Sequence, residues 1–151
     1  MKILMVCLGN ICRSPMAQGI MESKLKKLNI TNWYVDSAGT SGWHDGEHPD
    51  QRAIKTSKNK GVDISSQYSR KLKHNDLDDF DVIFAMDSSN YQDIINICQN
   101  DIQKSKIHLL LNYKFPGKNM AVPDPYYDGT FDKVFDLLND AMDDVIRQLT
   151  K

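Results

Sequence analysis

The stretch "VCLGNICRSP", Val6 to Pro15, follows the apolar run Ile3-Leu4-Met5-Val6 and ends in Ser-Pro. It holds two of the chain's three cysteines, and a fixed cation, Arg13, directly follows the second. Ile3 to Val6 reads as a short strand buried on both faces. Ser14-Pro15 opens a helix, because serine is a favoured N-cap and proline fits the first helical position, where its missing N–H costs nothing. Met16 or Ala17, Ile20, Met21, Leu25 and Leu28 then recur at helical spacing. Cys7 to Arg13 is therefore a loop between a strand and a helix.

Outward from this loop, strands and helices alternate. Trp33-Tyr34-Val35 reads as a second strand ending near Asp36, followed by a polar loop from Thr40 to Asp50. Residues 51–60 form a helix stopped by Gly61. Val82 to Met86 is a third strand, and Asp87-Ser88-Ser89-Asn90 offers N-caps for a helix through Ile97. Ile107 to Leu111 is a fourth strand. Phe131, Val134, Phe135, Leu138, Met142, Val145, Ile146 and Leu149 mark one apolar face of a final helix. This order implies an α/β fold, a doubly wound sheet of about four parallel strands flanked by helices, over residues 1–151 as one domain. In such sheets ligands bind beyond the carboxyl ends of the strands, where Cys7 to Arg13 falls.

Net charge is −1, so no bulk attraction to nucleic acid or an anionic membrane is expected. No apolar run approaches the ~20 residues that span a bilayer, and Gly9-Asn10 interrupts the opening run before any signal-like cleavage site. A cytoplasmic protein is the expectation. The odd cysteine count is not a disulfide framework, and no C-x-x-C suggests zinc. His44 and His48 form an isolated H-x-x-x-H without helical surroundings. Asp76-Leu77-Asp78-Asp79 reads as a solvated helix start rather than a metal site.

A strand-to-helix loop aims successive backbone N–H groups at one point, and with the helix N-terminus behind it forms an anion cradle. Gly9 adopts conformations other residues avoid, and Asn10 tolerates a left-handed one. Arg13 adds a planar fork of donors suited to phosphate oxygens. The same field lowers a thiol's pKa, so Cys7 becomes a nucleophile facing a bound phosphoryl group. Taken as a pair, Cys7 and Arg13 fit equally a buried core cysteine and a solvated helix-start charge. Gly9, Asn10, Ser14 and Pro15 tip the reading toward the cradle.

"CLGNICRSPMA", Cys7 to Ala17, resembles the phosphate-binding loop of the low-molecular-weight protein tyrosine phosphatases, C-x5-R-[ST] near the N-terminus. "DSAGTSGWHDGEHPDQRA", "FAMDSSN" and "VPDPYYDGTF" resemble that family's later segments, in order, over essentially the whole chain. The resemblance implies a flavodoxin-like phosphatase fold and hydrolysis of phosphotyrosine in proteins, or of aryl phosphates, without metal or other cofactor. It implies that Cys7 attacks phosphorus, that Arg13 binds the phosphoryl oxygens, and that Asp124 protonates the leaving phenol oxygen and then deprotonates water. The loop Leu8, Gly9, Asn10, Ile11, Cys12, Arg13 and Ser14 would bind phosphate. Asn10, Ser14 and Ser37 would hold the cradle in shape, with Ser14 stabilising the departing thiolate. Trp43, Tyr126 and Tyr127 would wall the aryl slot, although for Tyr127 core packing is at least as strong a reading. Cys12 would capture an oxidised Cys7 as a disulfide, or be a small apolar filler. Where many relatives carry a histidine supporting the loop asparagine, this chain has Gln67. Phosphoprotein substrates and a monomer or weak homodimer are the expected partners and state.

Two rivals follow from the same residues. A thioredoxin-coupled arsenate reductase of this fold needs two further cysteines in a mobile mid-chain segment, and the chain offers only Cys98 there. A non-catalytic oxyanion or phosphopeptide receptor is favoured only if Cys7, Arg13 or Asp124 is missing, and all three are present.

Overall fold

The computed structural model describes all residues, 1–151. Four parallel strands, β1 (Lys2–Cys7), β2 (Tyr34–Gly39), β3 (Val82–Ala85) and β4 (Ile107–Leu109), form one sheet in the order β2-β1-β3-β4. The helices are α1 (Arg13–Lys27), α2 (Gln51–Asn59), α3 (Asp76–Asp79), α4 (Ser88–Ile97), α5 (Asp101–Ser105), α6 (Pro125–Asp128) and α7 (Phe131–Leu149).

Both faces of the sheet are covered, which is why β1 is a continuous apolar run rather than an alternating one. Successive side chains of β1 point to opposite faces. Ile3, Met5 and Cys7 pack with Val35, Phe84 and the apolar sides of α1 and α7. Leu4 and Val6 pack with Ile83, Ala85, Leu109 and Ile94 on the other face. The same parity sends the Cys7 sulfur to the α1 side, at the carboxyl end of the strand beside which the chain order reverses.

Several boundaries differ from the sequence expectations, each for a local reason. Trp33 precedes β2, which instead runs on to Gly39, because Ser37, Ala38 and Gly39 pair with Met5, Val6 and Cys7. β4 stops at Leu109, and Leu110–Tyr113 turns into a 3₁₀ helix whose Leu110 and Leu111 enter the larger core. Leu28 caps α1 and is exposed, since the helix ends before its periodic position returns to the core. Asp76 is buried, clasped by both terminal nitrogens of Arg70, rather than solvated. α1 begins two residues early, at Arg13 with Cys12 as its N-cap and no side-chain cap, so Ser14 lies inside the helix and spends its hydroxyl elsewhere. The expected cap does form at α4, where Asp87 Oδ1 accepts from the Asn90 N–H.

Beyond β2 the chain runs beneath the Cys7–Arg13 loop: the N–H of Thr40 donates to Cys7 O, and that of Ser41 to Leu8 O. Gly39 lies so close that a Cβ there would meet Leu8 O at 2.8 Å and Ser41 O at 3.0 Å. Gly39→Ala is therefore expected to lower stability by about 1–3 kcal/mol, since backbone rather than a flexible side chain must yield; urea unfolding measures it.

Candidate active site

The loop from Leu8 to Cys12 keeps its backbone donors free. The N–H groups of Leu8, Gly9, Ile11 and Cys12 have no intramolecular acceptor, while that of Asn10 points at Cys7 Sγ, 3.3 Å away. Four N–H groups left without acceptors in one strand-to-helix loop, with a fifth on the thiol, suit a receptor for an anion. Asn10 is the left-handed residue, with φ 56°, not Gly9. At Gly9 a Cβ would meet the His44 ring at 3.2 Å, tighter than an ordinary contact.

The Asn10 side chain holds this shape. The backbone N–H of Arg70 can only donate, and it meets Asn10 Oδ1 at 3.0 Å. The two hydrogens on Nδ2 go to Ser14 Oγ at 2.7 Å and Ser37 Oγ at 3.0 Å. Ser37 in turn donates to Gln18 Oε1. Ser14 Oγ accepts from Asn10, so its own hydrogen is available to Cys7 Sγ, 3.0 Å away. Asn10, Ser14 and Ser37 thus meet in one network. Gln67 does not join it: its Nε2 donates to Pro15 O, and Asn10 Oδ1 is already taken by Arg70.

The Arg13 side chain is buried, and its fork is aimed by two partners. Nη1 donates to Asp87 Oδ2 at 2.7 Å and to Val122 O at 3.0 Å. Nη2 lies 3.8 Å from Asp124 Oδ2. Burial alone would loosen the Arg13 proton, but Cys7 and Asp87 outweigh it and hold it more firmly than usual. Asp124 caps α6 by accepting from the Tyr126 N–H with Oδ1, which leaves Oδ2 on the Arg13 side.

Cys7, Arg13 and Asp124 line one cleft of about 220 Å³, and Leu8, Ile11, Trp43, Tyr126 and Tyr127 give it apolar sides. Tyr127 is 87% exposed and Trp43 76% exposed, so neither belongs to the core. The Tyr126 and Tyr127 rings meet edge to face, 5.1 Å apart. His44, with Nδ1 held by Glu47, faces the same cleft, whereas His48 packs on Tyr68 outside it. Cys12 also lines the cleft, but burial, reinforced by Asp50, pushes its thiol far above the ordinary range. Cys98 packs against the core on the opposite face of the sheet and donates to Ile94 O.

Sequence reasoning missed Gln18, Ser69, Arg70 and the second role of Asp87. Ser69 Oγ donates to Gly9 O, and Arg70 is pinned between Asp36 and Asp76. The position of Asp87 directly after an apolar strand was a usable signal; nothing local marked the others. No group of three or more His, Cys, Asp or Glu is arranged to hold a metal ion, and no helix is long and apolar enough to cross a membrane.

The sequence model described as low molecular weight phosphotyrosine protein phosphatase matches residues 2–151. A Schizosaccharomyces pombe protein named low molecular weight phosphotyrosine protein phosphatase is 40% identical over 131 residues, 85% of this chain and 83% of that one. The crystal structure of a protein tyrosine phosphatase from Entamoeba histolytica superposes with a TM-score of 0.92 at 38% identity, covering 99% of this chain and 97% of that one. The crystal structure of DARP, a Drosophila arginine phosphatase, superposes with a TM-score of 0.92 at 32% identity, covering 100% of this chain and 99% of that one.

A thiol that keeps its proton is a poor nucleophile. Iodoacetamide near neutral pH is therefore expected to modify Cys7 and spare Cys12, as read by peptide mass spectrometry; preferential labelling of Cys12 would contradict the site's electrostatics.

Proposed function

Because this chain belongs to the low molecular weight phosphotyrosine protein phosphatase family, we propose that residues 1–151 act as a single domain that hydrolyses aryl phosphate monoesters, phosphotyrosine in proteins above all. The observation that carries this reading is the Cys7 thiol sharing one cleft with the buried Arg13 and with a loop whose N–H groups have no intramolecular acceptors.

In the first step the Cys7 sulfur attacks phosphorus in line with the phenol oxygen. The S–P bond forms, the P–O bond breaks, and the Asp124 carboxyl gives its proton to the leaving oxygen. Nη1 of Arg13 is committed to Asp87 and Val122, which leaves Nε and Nη2 for two phosphoryl oxygens. The amides of Leu8 to Ser14 surround the rest, offsetting repulsion between sulfur and dianion and gripping the transition state. In the second step the Asp124 carboxylate takes a proton from water, water attacks phosphorus, and the thiolate leaves. The Ser14 hydroxyl, 3.0 Å from Sγ, stabilises that departing charge. The fixed positive charge comes from Arg13 and the amides, so the steps need no metal. If Cys7 is oxidised to a sulfenic acid, its charge no longer helps hold the Cys12 proton, and the Cys12 thiol in the same cleft is the group to condense with it, forming a disulfide and releasing water. We further propose a cytoplasmic monomer or weak homodimer, in keeping with three free thiols.

The likeness to an arginine phosphatase makes phosphoarginine the competing substrate. Its side chain brings a guanidine whose N–H groups need acceptors inside the slot. The walls here are Leu8, Ile11, Trp43, Tyr126 and Tyr127, with Asp124 the one carboxylate in the lining. That surface suits an aromatic ring, and kcat/KM is expected to be higher for phosphotyrosine peptides than for matched phosphoarginine peptides. The arsenate-relay alternative is disfavoured by Cys98 lying across the sheet from Cys7.

Hydrolysis of p-nitrophenyl phosphate is expected to persist in EDTA, to be blocked by vanadate and to vanish in Cys7→Ser. No turnover by the folded, reduced protein would favour an oxyanion or phosphopeptide receptor instead. Asp124→Asn is expected to cost about 10²–10⁴-fold in kcat on phenyl phosphate and much less on p-nitrophenyl phosphate, whose leaving anion needs little help. Equal losses would remove Asp124 from the acid role.

A further inference from the structure

We propose that Arg52, on α2, is a positioning residue that sets the Asp124 carboxyl against the phosphate loop; the inference rests on the reading of Asp124 as the proton donor. Its guanidinium joins two parts of the site that no strand or helix connects. On one side Nε and Nη2 clasp Asp50, at 3.1 Å from Oδ1 and 3.0 Å from Oδ2. The N–H of Asp50 donates to Ile11 O at 2.8 Å, so this pair is tied to the loop itself. On the other side Nη1 donates to Tyr126 O at 3.2 Å, and the guanidinium plane lies over the rings of Tyr126 and Phe131, 5.3 Å and 4.8 Å from their centroids.

Tyr126 is the residue whose N–H holds Asp124 Oδ1. Arg52 therefore grips the carbonyl and ring of the same residue that grips the acid. The path runs Ile11, Asp50, Arg52, Tyr126, Asp124, and it fixes where Oδ2 stands over the cleft. α6 is a single turn of four residues, Pro125–Asp128, and its rim residues Tyr126, Tyr127 and Asp128 are exposed. Such a turn has little packing of its own to hold it. Only a planar fork serves both sides at once; a lysine ammonium is a point donor and cannot clasp Asp50 bidentately while lying over two rings.

A positioning role makes a distinct prediction, because misplacing the acid matters most when the leaving oxygen needs a proton. Arg52 is half-exposed, and its replacement uncovers one edge of the core at Phe131 without removing a core side chain. In Arg52→Ala, kcat is expected to fall about 10-fold on phenyl phosphate, about 3-fold or less on p-nitrophenyl phosphate, and KM is expected to change little. Arg52→Lys should recover only a small part. In the Asp124→Asn background Arg52→Ala should cost nothing further, since the group it positions is gone. A rise confined to KM, an equal loss on both esters, a loss additive with Asp124→Asn, or full activity in Arg52→Ala would overturn the inference. If Asp124→Asn itself shows no leaving-group dependence, the acid assignment fails first and the inference with it. If Asp124→Asn shows that dependence and Arg52→Ala does not, the inference alone fails.

Discussion

One carboxamide holds the site open. The three hydrogen bonds of the Asn10 side chain tie the phosphate loop to α1 through Ser14, to β2 through Ser37, and to the segment before α3 through Arg70. With the side chain anchored on three sides, the residue keeps its left-handed backbone, and its neighbours keep their N–H groups free of intramolecular acceptors instead of closing a regular turn. An asparagine suits this position because it tolerates that conformation and carries donors and an acceptor on one short, planar group. Ser14 then has its proton free for the Cys7 sulfur. The donors around the thiol are thus set by a contact that does not touch substrate.

The partners of Asn10 are themselves held at a distance. Arg70 is pinned by Asp36 from β2 and Asp76 from α3, and its neighbour Ser69 holds Gly9 O. Ser37 has its hydroxyl fixed by Gln18. Arg13 is aimed by Asp87 at the start of α4 and by Val122 O, from the segment leading to Asp124. Nucleophile, cation and acid therefore come from separate elements, yet all are referred to the carboxyl ends of β1 and β3. A rigid cradle assembled before substrate arrives spends little reorganisation in the transition state.

The catalytic cluster also separates its two cysteines. Cys7 ends a strand with N–H and O–H donors around its sulfur, while Cys12, five residues on, is held protonated by burial and by the nearby Asp50 carboxylate. Two thiols in one cleft thus have different chemistry because one faces donors and the other faces apolar packing and negative charge.

Sequence alone determined the sheet's parallel, doubly wound character, the strand-loop-helix that carries Cys7 and Arg13, and the apolar face of α7. These rest on local periodicity and on residue types that few other structures tolerate in that order. Asp124 was legible only through its flanking prolines and its likeness to a family segment. Tertiary structure decided the rest. Ser14 caps nothing, because a network with Asn10 and Cys7 competes for its hydroxyl. Gln67 donates to Pro15 O, while Asn10 Oδ1 accepts from the Arg70 N–H. Asp76 is buried because Arg70 reaches it, and Tyr127 stands at the cleft because α6 projects it outward. Each is a competition between partners distant in sequence, and a pattern read along the chain contains no information about which partner arrives first.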